Sequence, residues 1–321
     1  MGKVTPGEVF CGIDAPCKIN LHLRVGNIRN DGFHNLESIF LSLAFGDSLR
    51  IKMFPEGEGE ADCRILMEGV ELPAGENIIS RAVILFREQT GFGRSLLIQV
   101  KKRIPLGGGL GGGSSDGASI LMALNILSGA ELPRQALERI ASSLGSDVPF
   151  FLSGGAAWVS GRGERIEPLP LPQDLWIVLV NPGFSSETAA AFAFLDRERK
   201  KGTVPSRREI LSPERLKAAL GENPGFWPYV NDFLPFLLSG AGKTRCCPDS
   251  NSGIGEAYQG ILSELETLGA DFSGLSGTGS TCFGIFTNKG VAEQTAKTLA
   301  KKWEFVQLTF PLARPAHAVL N

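Results

Sequence analysis

The sequence predicts an α+β protein of two domains, and three observations lead to that prediction. Segments with strand periodicity and segments with helix periodicity both occur, but they do not alternate, because the helical segment 115–127 is followed by a second one at 133–144. A proline-rich stretch at 167–172 separates two parts of comparable length. The 321 residues suffice for a sizeable core in each part. We therefore expect domains at 1–170 and 171–321.

The first predicted strand carries a polar face. Apolar and polar residues alternate over 17–25, which is typical of a half-buried strand, and Lys18, Asn20 and His22 share the polar side. A turn is expected at 30–32. The other elements predicted before the middle of the chain are strands at 48–53, 62–67 and 95–100, a helix at 78–90, a buried helix at 115–127, a helix at 133–144 that begins at Pro133, a short helix that begins at Ser146 and Asp147, and a hairpin over 156–166.

The second half mixes strands and helices in the same way. A stretch rich in Gly, Ser, Lys and Cys at 239–255 has the composition of an exposed insertion. The elements predicted around it are strands at 175–180, 281–287 and 304–310 and helices near 186–196, 213–220, 256–267 and 291–302.

The composition excludes several classes of function. A net charge of −2 gives no reason to expect nucleic acid or an anionic membrane as a partner. No apolar run approaches the roughly 20 residues of a membrane span, and the N-terminus has no signal-peptide core. The six Cys form no Cys-x-x-Cys pair, so no zinc site is indicated and no metal ligand is assigned. We expect a cytoplasmic protein with reduced thiols.

A glycine cluster between a predicted strand and the buried helix is the main functional signal. Without Cβ atoms the backbone can approach a polyanion closely and turn several N–H groups inward. The helix that follows adds free N–H donors and the positive end of its dipole. The hydroxyl of Ser114 or Ser115 could bind a phosphate oxygen or Mg²⁺. The residues predicted to hold the phosphates are Pro105, Leu106, Gly107, Gly108, Gly109, Leu110, Gly111, Gly112, Gly113, Ser114 and Ser115.

Other interpretations of the glycine cluster compete with a phosphate-binding loop. A flexible linker would not run straight into a capped, buried helix. Gly107, Gly109 and Gly112 satisfy the dinucleotide pattern Gly-x-Gly-x-x-Gly, but that pattern alone is weak, and a helix rather than a parallel strand comes next. The P-loop pattern fails because no Lys precedes Ser114. A phosphate cradle of another kind remains.

Three blocks of sequence resemble the kinase superfamily that contains galactokinase, homoserine kinase, mevalonate kinase and phosphomevalonate kinase. They are 15–21 with 31–34 behind it, the glycine cluster, and 275–280 near the C-terminus. The resemblance implies a ribosomal-protein-S5-like N-terminal domain, a ferredoxin-like C-terminal domain and a site between them. It implies ATP and Mg²⁺ as cofactors. Within the superfamily it is greatest to kinases whose small-molecule substrate carries cytidine diphosphate.

The resemblance assigns roles to two charged residues. It places the catalytic carboxylate at Asp147, since phosphoryl transfer needs a group that accepts the hydroxyl proton. It pairs Lys18 with that carboxylate, and the cation would keep Asp147 ionised and stabilise negative charge in the transition state. Simpler interpretations exist for both. Asp147 also suits the N-cap of a helix that begins at Val148, and a Lys on a strand is usually a solvated charge.

The resemblance also implies a clamp for the cytosine ring. Phe33, where the family usually has Tyr, would stack on the ring, and His34 would form a hydrogen bond to it. Phe192 matches the second stacking aromatic, and Thr188, one helical turn earlier, would lie on the same face. Asn20 could orient the substrate from the first strand. An aromatic residue after a turn is also consistent with core packing.

Two further positions match the family near the nucleotide, Asn77 and Lys102. Lys102 could equally be a solvated charge at the end of a strand. The block 277–279 is expected to pack beneath the glycine cluster or to form a structural turn.

The sequence therefore predicts an ATP-dependent kinase that phosphorylates a hydroxyl group of a small molecule. Three alternatives remain: a mevalonate- or homoserine-type kinase of the same superfamily, a related decarboxylase that phosphorylates only transiently, and a nucleotide-binding protein without catalysis. The presence of both Lys18 and Asp147 argues against the last. The sequence is compatible with a monomer or a homodimer.

Overall fold

Two β-sheets with helices packed against them make up the computed structural model of this chain. The structure describes residues 9–59, 63–68, 70–71, 77–201, 211–238, 253–315 and 318–320. Among the helices of these residues, none is long and apolar enough to cross a membrane.

The strands and helices of the described residues are numbered in chain order. The strands are β1 (Val9–Ile28), β2 (His34–Met53), β3 (Cys63–Met67), β4 (Val70–Glu71), β5 (Leu96–Lys101), β6 (Ala156–Gly161), β7 (Arg165–Leu169), β8 (Trp176–Asn181), β9 (Phe272–Leu275), β10 (Cys282–Phe286), β11 (Phe305–Thr309) and β12 (Val319–Leu320). The helices are α1 (Ile78–Thr90), α2 (Gly112–Leu127), α3 (Arg134–Leu144), α4 (Val148–Ser153), α5 (Thr188–Lys200), α6 (Pro213–Ala219), α7 (Leu234–Leu238), α8 (Gly253–Thr267) and α9 (Lys289–Leu299). A 3₁₀ turn occupies Pro224–Phe226.

The larger sheet is organised around two long antiparallel strands. β1 and β2 each run for 20 residues, and the path through the sheet is β12-β1-β2-β5-β3-β4. β2 pairs with β6 through residues 36–41 and with β5 through residues 48–53, so one strand serves two different neighbours. Helices α1 to α4 bury their apolar faces against this sheet in one continuous core.

The smaller sheet has the topology that the resemblance implies for the C-terminal domain. Its strands follow the order β11-β8-β10-β9, and every neighbouring pair is antiparallel. Helices α5 to α8 lie between β8 and β9 in the chain, and α9 lies between β10 and β11. This β-α-β-β-α-β pattern is ferredoxin-like. The α+β class is confirmed.

A second core joins the two sheets and determines which way β1 faces. Ile19 and Leu21 of β1 pack in the same cluster as Ile177, Leu179 and Phe283 of the smaller sheet. The opposite face of β1 at this level, with Lys18 and Asn20, is therefore turned away from that core.

That polar face is buried, and the expectation of a half-buried strand is wrong in this respect. Lys18, Asn20 and His22 are each almost inaccessible to solvent. The glycine cluster and Asp147 lie against Lys18, and Asn20 contacts Ser276. The alternating pattern identifies the two faces but cannot show that both are covered.

His22 lies instead on the face of the second core, where its ring contacts Trp158 and Tyr229, because the pairing of β1 with β2 shifts by one residue after Asn20. The prediction that His22 shares a face with Lys18 and Asn20 is wrong.

Several predicted elements have different bounds in the structure. The strands predicted at 17–25 and 48–53 are parts of much longer strands, because the middle of β2 is apolar on both faces and shows no alternation. α2 begins at Gly112 rather than at Ser115, since the last glycines of the cluster already form its first turn. Pro133 is the N-cap of α3 rather than its first residue.

The second half departs from prediction in several places. β9 was not predicted, because a strand of 4 residues carries little periodicity. The predicted insertion lies outside the described residues over 239–252, and residues 253–255 form the start of α8. β12 returns to the larger sheet, where Leu320 pairs with Cys11. The domain division at residue 170 stays a prediction.

Candidate active site

The glycine cluster is a loop whose carbonyl groups are held by the surrounding protein. Four successive carbonyl oxygens accept hydrogen bonds, and the donors come from both sheets. Ser186 N donates to Gly107 O at 3.0 Å and Thr281 N to Gly108 O at 3.1 Å. Ser276 Oγ donates to Gly109 O at 2.8 Å, and Lys18 N to Leu110 O at 3.0 Å. The carbonyls therefore point into the protein.

The start of helix α2 supplies N–H donors, whereas the loop before it has its carbonyl acceptors turned away. The first N–H groups of any helix have no partner within the helix. The N-cap of α2 is Gly111, which has left-handed φ and ψ of 72° and 19° and makes no side-chain cap. Backbone N–H groups and the positive end of the helix dipole are thus left for an anion.

Gly109 shows why the loop requires glycine. Its φ of 76° is a left-handed conformation that other residues rarely adopt. A Cβ atom at this position would lie 2.2 Å from Ser276 O and 2.8 Å from Gly279 O. The loop therefore rests directly on the 276–279 backbone. The expectation that 277–279 packs beneath the glycine cluster is confirmed.

Lys18 and Asp147 face each other at the end of this loop. The Lys18 Nζ lies 3.5 Å from Asp147 Oδ2, and the two side chains are 5% and 33% exposed. Asp147 is the N-cap residue of α4, but its side chain makes no capping hydrogen bond. Its carboxylate is directed to Lys18 instead, so the helix-cap interpretation describes its position in the chain and not the use of its side chain.

Burial sets the electrostatics of Lys18. Burial lowers the pKa of its ammonium group below the ordinary value, and the Asp147 carboxylate opposes that shift. The same ammonium donates to Asn20 Oδ1 at 2.6 Å and lies 4.5 Å from the centre of the Phe40 ring. Lys18 is therefore a buried cation that the protein holds in one place, not a solvated strand charge.

One cavity of about 440 Å³ brings most of the predicted site together. Its wall includes Lys18, Asp147 and Asn20 on one side and Thr188 and Phe192 on another. The remaining predicted residues along its wall are Pro105, Leu106, Gly107, Gly108, Gly109, Leu110, Gly111, Gly112, Gly113, Ser114 and Lys102. The glycine loop and the Lys18–Asp147 pair thus share a space in which a phosphate could reach both.

Four predicted residues are not among the described residues along this wall. Ser115 is fully buried in α2, and its Oγ has no hydrogen-bond partner among the described groups. Asn77 is the N-cap of α1, where its side chain accepts from Ser80 N at 2.9 Å. The other two, Phe33 and His34, lie near the cytidine side of the predicted site. Contact of these four with ligands stays a prediction.

Lys102 is part of a buried charge cluster. Its ammonium donates to Asp47 and, at 2.8 Å, to Asp116 Oδ2. Burial by itself lowers the pKa of Lys102, but the two carboxylates raise it and the net shift is upward. Asp47 also accepts from the N–H groups of Arg103 and Ile104 at 2.5 and 2.8 Å. The cluster therefore fixes the chain where it enters the glycine loop.

Asp116 is the carboxyl group of that cluster with a raised pKa. Burial raises its pKa to about 7, Lys102 opposes the shift, and the negative charge of Asp47 adds to it. Its Oδ1 is buried and has no hydrogen-bond partner among the described groups. Two carboxylates share one ammonium here, and burial together with the charge of Asp47 favours the protonated form of Asp116.

The residues predicted for the cytosine clamp lie at the junction of β2 and α5. His34 Nδ1 is 2.9 Å from Gly26 O, and its Nε2 is 3.3 Å from Asp196 Oδ2. Its ring stacks at a tilt on Phe192, with 5.2 Å between centroids. Phe33 is 53% exposed and lies under the Arg162 guanidinium at 5.0 Å. The structure therefore brings His34 and Phe192 together and leaves Phe33 outside that contact.

Several residues of the site escaped prediction because their partners are distant in the chain. Asp47 and Ser38 follow no motif. Asp116 belongs to the Ser-Ser-Asp end of the glycine cluster, and that position was the available signal. Ser186 also escaped prediction: its Oγ donates a 2.8 Å hydrogen bond to the carbonyl of Thr278, in the predicted block 277–279, and no local pattern predicts this contact.

Comparison with protein families identifies the two domains. Residues 77–155 match the GHMP kinases N terminal domain, and residues 254–304 match the GHMP kinases C terminal domain. These two domains in that order define the class of the protein, a small-molecule kinase of the GHMP type. The resemblance drawn from the sequence blocks is confirmed.

Individual relatives narrow the class. A protein of Anaeromyxobacter dehalogenans named 4-diphosphocytidyl-2-C-methyl-D-erythritol kinase is 37% identical over 289 residues, which cover 88% of this chain and 82% of the relative. A protein of the same name from Treponema pallidum is 33% identical over 295 residues, or 90% and 94%. A crystal structure of 4-(cytidine 5'-diphospho)-2C-methyl-D-erythritol kinase has a TM-score of 0.68 at 31% identity and covers 96% of this chain and 98% of that one. The chain belongs to the 4-diphosphocytidyl-2-C-methyl-D-erythritol kinase family.

Replacement of Gly109 by Ala is expected to raise the Kd for ATP at least tenfold. A left-handed alanine costs about 1–3 kcal/mol, and the contact with Ser276 O adds to it, whereas about 1.4 kcal/mol already corresponds to a factor of ten. Isothermal titration calorimetry with ATP measures the change. Gly260→Ala is the control, because a Cβ atom there meets nothing within 4 Å. ATP binding by Gly109→Ala at wild-type strength would contradict the role of the loop.

The Asp116 carboxyl makes stability depend on pH in a defined direction. At pH values between 3.8, the ordinary pKa, and about 7, the raised pKa, Asp116 in the folded protein keeps a proton that it has released in the unfolded chain. This contribution to the free energy of unfolding therefore increases as the pH falls from about 7 towards 4. Relative to Asp116→Asn, the wild-type protein should be more stable at pH 5 than at pH 8 by about 1–3 kcal/mol.

Urea denaturation at the two pH values measures this difference. Asp174→Asn, in an exposed turn, is the control and should follow the wild type at both. An equal difference between wild type and Asp116→Asn at pH 5 and pH 8 would rule out the protonated carboxyl.

Proposed function

We propose that the protein transfers the γ-phosphoryl group of ATP to the 2-hydroxyl of 4-diphosphocytidyl-2-C-methyl-D-erythritol, in the non-mevalonate synthesis of isoprenoid precursors. The observation that carries the proposal is the single cavity shared by the glycine loop, Lys18 and Asp147. Relatives that carry this kinase name at 33% and 37% identity support the substrate. Nothing in the site favours mevalonate or homoserine over it.

Asp147 is the proposed base. Its side chain is about one-third exposed and lines the cavity, so a substrate hydroxyl can reach it. A carboxylate that is not committed to capping its own helix keeps its oxygens available for that hydroxyl proton. Lys18 is proposed to keep Asp147 ionised and to offset the charge that develops on the transferred phosphoryl group.

The nucleotide is proposed to lie along the glycine loop, with its phosphates at the start of α2. The carbonyls of residues 107–110 are held by other partners and so do not compete with the N–H groups for this side of the loop. In this proposal Lys102 acts through the Asp47–Asp116 cluster that shapes the loop entrance, and Asn77 contributes near the nucleotide from the start of α1.

Mg²⁺ belongs to the proposal as an ion held mainly by the nucleotide. Among the residues with described positions, no group of three or more His, Cys, Asp or Glu side chains could hold a metal ion. Mg²⁺ commonly takes few protein ligands and several phosphate or water oxygens. The hydroxyl of Ser114 lies at the cavity wall, and that of Ser115 is buried without a hydrogen-bond partner among the described groups, so both fit this need. When bound, the ion offsets phosphate charge.

The cytidine end is proposed to lie against α5. His34 and Phe192 already contact each other, and Thr188 lies one turn before Phe192 with its Oγ1 3.4 Å from Thr278 Oγ1. Cytosine would stack on Phe192 and meet His34, and Phe33 would approach from its exposed position. Asn20 would orient the acceptor end of the substrate. The cytoplasmic location, the monomeric or homodimeric state and the domain division at residue 170 stay predictions from the sequence.

A substrate panel tests the function. The protein is incubated with MgATP and, separately, with 4-diphosphocytidyl-2-C-methyl-D-erythritol, mevalonate or homoserine, and ADP is measured. Turnover is expected with the first only, because only that compound carries a cytidine for the His34 and Phe192 side of the site. Turnover of another compound in its place would overturn the substrate and keep the kinase class. Release of CO₂ from diphosphomevalonate would indicate the related decarboxylase.

Asp147→Asn tests the proposed base. The amide cannot accept the hydroxyl proton, so kcat should fall by about 10²-fold or more while the Kd for ATP stays within about threefold. Steady-state kinetics and calorimetry separate these two effects. Asp174→Asn makes the same chemical change at an exposed turn and should keep wild-type kcat. An unchanged kcat in Asp147→Asn would remove this carboxylate from the mechanism.

A further inference from the structure

A chain of buried hydrogen bonds leads from the backbone of β1 to the Lys18–Asp147 pair. It begins at the carbonyl of His22, which accepts from Ser38 Oγ at 2.5 Å. Ser38 Oγ in turn accepts from Asn20 Nδ2 at 3.0 Å. Asn20 Oδ1 accepts from Lys18 Nζ at 2.6 Å. Ser38 is fully buried on β2 and lies outside every motif that points to the site.

The direction of this chain is fixed at its far end. A carbonyl can only accept, so the one hydroxyl proton of Ser38 is committed to His22. The Ser38 oxygen can then only accept from Asn20, which orients the amide nitrogen towards Ser38 and the amide oxygen towards Lys18. If the amide were turned over, its NH₂ group would face an ammonium, and two donors would meet in a buried space.

The strand geometry explains how Ser38 reaches both partners. The pairing of β1 with β2 shifts between Asn20 and His22, so that Asn20 pairs with Phe40 and His22 with Ile39. Leu21 is the extra residue of a β-bulge, and bulges redirect neighbouring side chains. Ser38 and Phe40 lie on the same face of β2, and Phe40 lies under the Lys18 ammonium.

We propose that Ser38 is a positioning residue for the phosphoryl transfer, acting through Asn20 to hold the Lys18 ammonium beside Asp147. A Lys side chain has four rotatable bonds and loses much conformational freedom when it is fixed. The interaction with Asp147 at 3.5 Å is long and lies at the edge of a cavity, so it does not fix the ammonium alone. The short hydrogen bond to Asn20 does so, and only in one amide orientation. This inference rests on the proposed kinase function.

The chain offers a matched control on the same strand. Ser42 is as fully buried as Ser38, lies four residues further along β2 and pairs with Lys18 in the register. Its Oγ has no hydrogen-bond partner among the described groups. Ser42→Ala therefore removes a buried hydroxyl without breaking a hydrogen bond, whereas Ser38→Ala breaks two.

Kinetics with both variants tests the proposal. Ser38→Ala should lower kcat about tenfold with the KM for ATP within about twofold, since the loop is untouched. Ser42→Ala should keep kcat within about twofold, and Ser38→Thr, which retains the hydroxyl, should restore most of it. If Ser38→Ala does not fold, Ser38→Cys takes its place, because sulfur is a weak acceptor and should give an intermediate kcat. Equal kcat values for the Ser38 and Ser42 variants would overturn the proposal.

A double-mutant cycle distinguishes positioning from a general structural effect. If Ser38 acts through Asn20, Ser38→Ala should change kcat less than about twofold when Asn20→Ala is already present. Effects that multiply would show that Ser38 acts elsewhere. Crystal structures of the wild-type protein and Ser38→Ala test the relay without turnover. The variant should show the Lys18–Asp147 separation lengthened, and an unchanged separation would contradict the relay even if the wild-type protein had no kinase activity.

Discussion

The site depends on the way the carbonyl groups of the glycine loop are held. Residues 107–110 take part in these contacts only through their backbone carbonyls, and each carbonyl accepts a hydrogen bond from a different neighbour. A free glycine segment would lose much conformational entropy when it wrapped a polyanion. Here that entropy has already been lost on folding, so the proposed binding of phosphates would not have to order the loop.

The same hydrogen bonds join the two sheets at the site. Lys18 of β1 belongs to the larger sheet, while Ser186 lies between β8 and α5 and Thr281 directly precedes β10 of the smaller one. The glycine loop is therefore hydrogen-bonded to parts of both sheets. The apolar core between the sheets keeps the two sets of donors in fixed positions relative to each other. A change in the packing of either sheet would move the loop relative to Asp147. This arrangement explains how a loop of small residues can hold a defined shape.

Burial of charge is the second constraint on the site. Removing charged groups from water is costly unless they are paired and hydrogen-bonded. Lys18 has Asp147 and Asn20 as partners, and Lys102 has two carboxylates. Both lysines line the cavity, but their neighbours differ: Lys18 lies beside the proposed base, and Lys102 fixes the chain that leads into the loop.

Local signals in the sequence were sufficient to predict many of the elements and part of the site. The helix predicted at 78–90 forms between Asn77 and Gly91, and the glycine cluster and the alternation of β1 identify the proposed phosphate loop and the face that carries Lys18. Contacts between distant residues were beyond such reasoning. The Asp47–Lys102 and Ser38–Asn20 interactions join β2 to other segments of the chain, and no pattern within the sequence relates the two partners. The middle of β2 shows no alternation because both of its faces are covered, and the exposed position of Phe33 beside Arg162 depends on a hairpin far along the chain.

The most direct test of the whole account is a crystal structure of the complex with a non-hydrolysable ATP analogue. The phosphate oxygens should lie within about 3.2 Å of backbone nitrogens in 107–115, with the terminal phosphate facing Lys18 and Asp147 and with the four carbonyl anchors intact. A triphosphate bound elsewhere, or bound only after the carbonyls of 107–110 had left their partners, would contradict it.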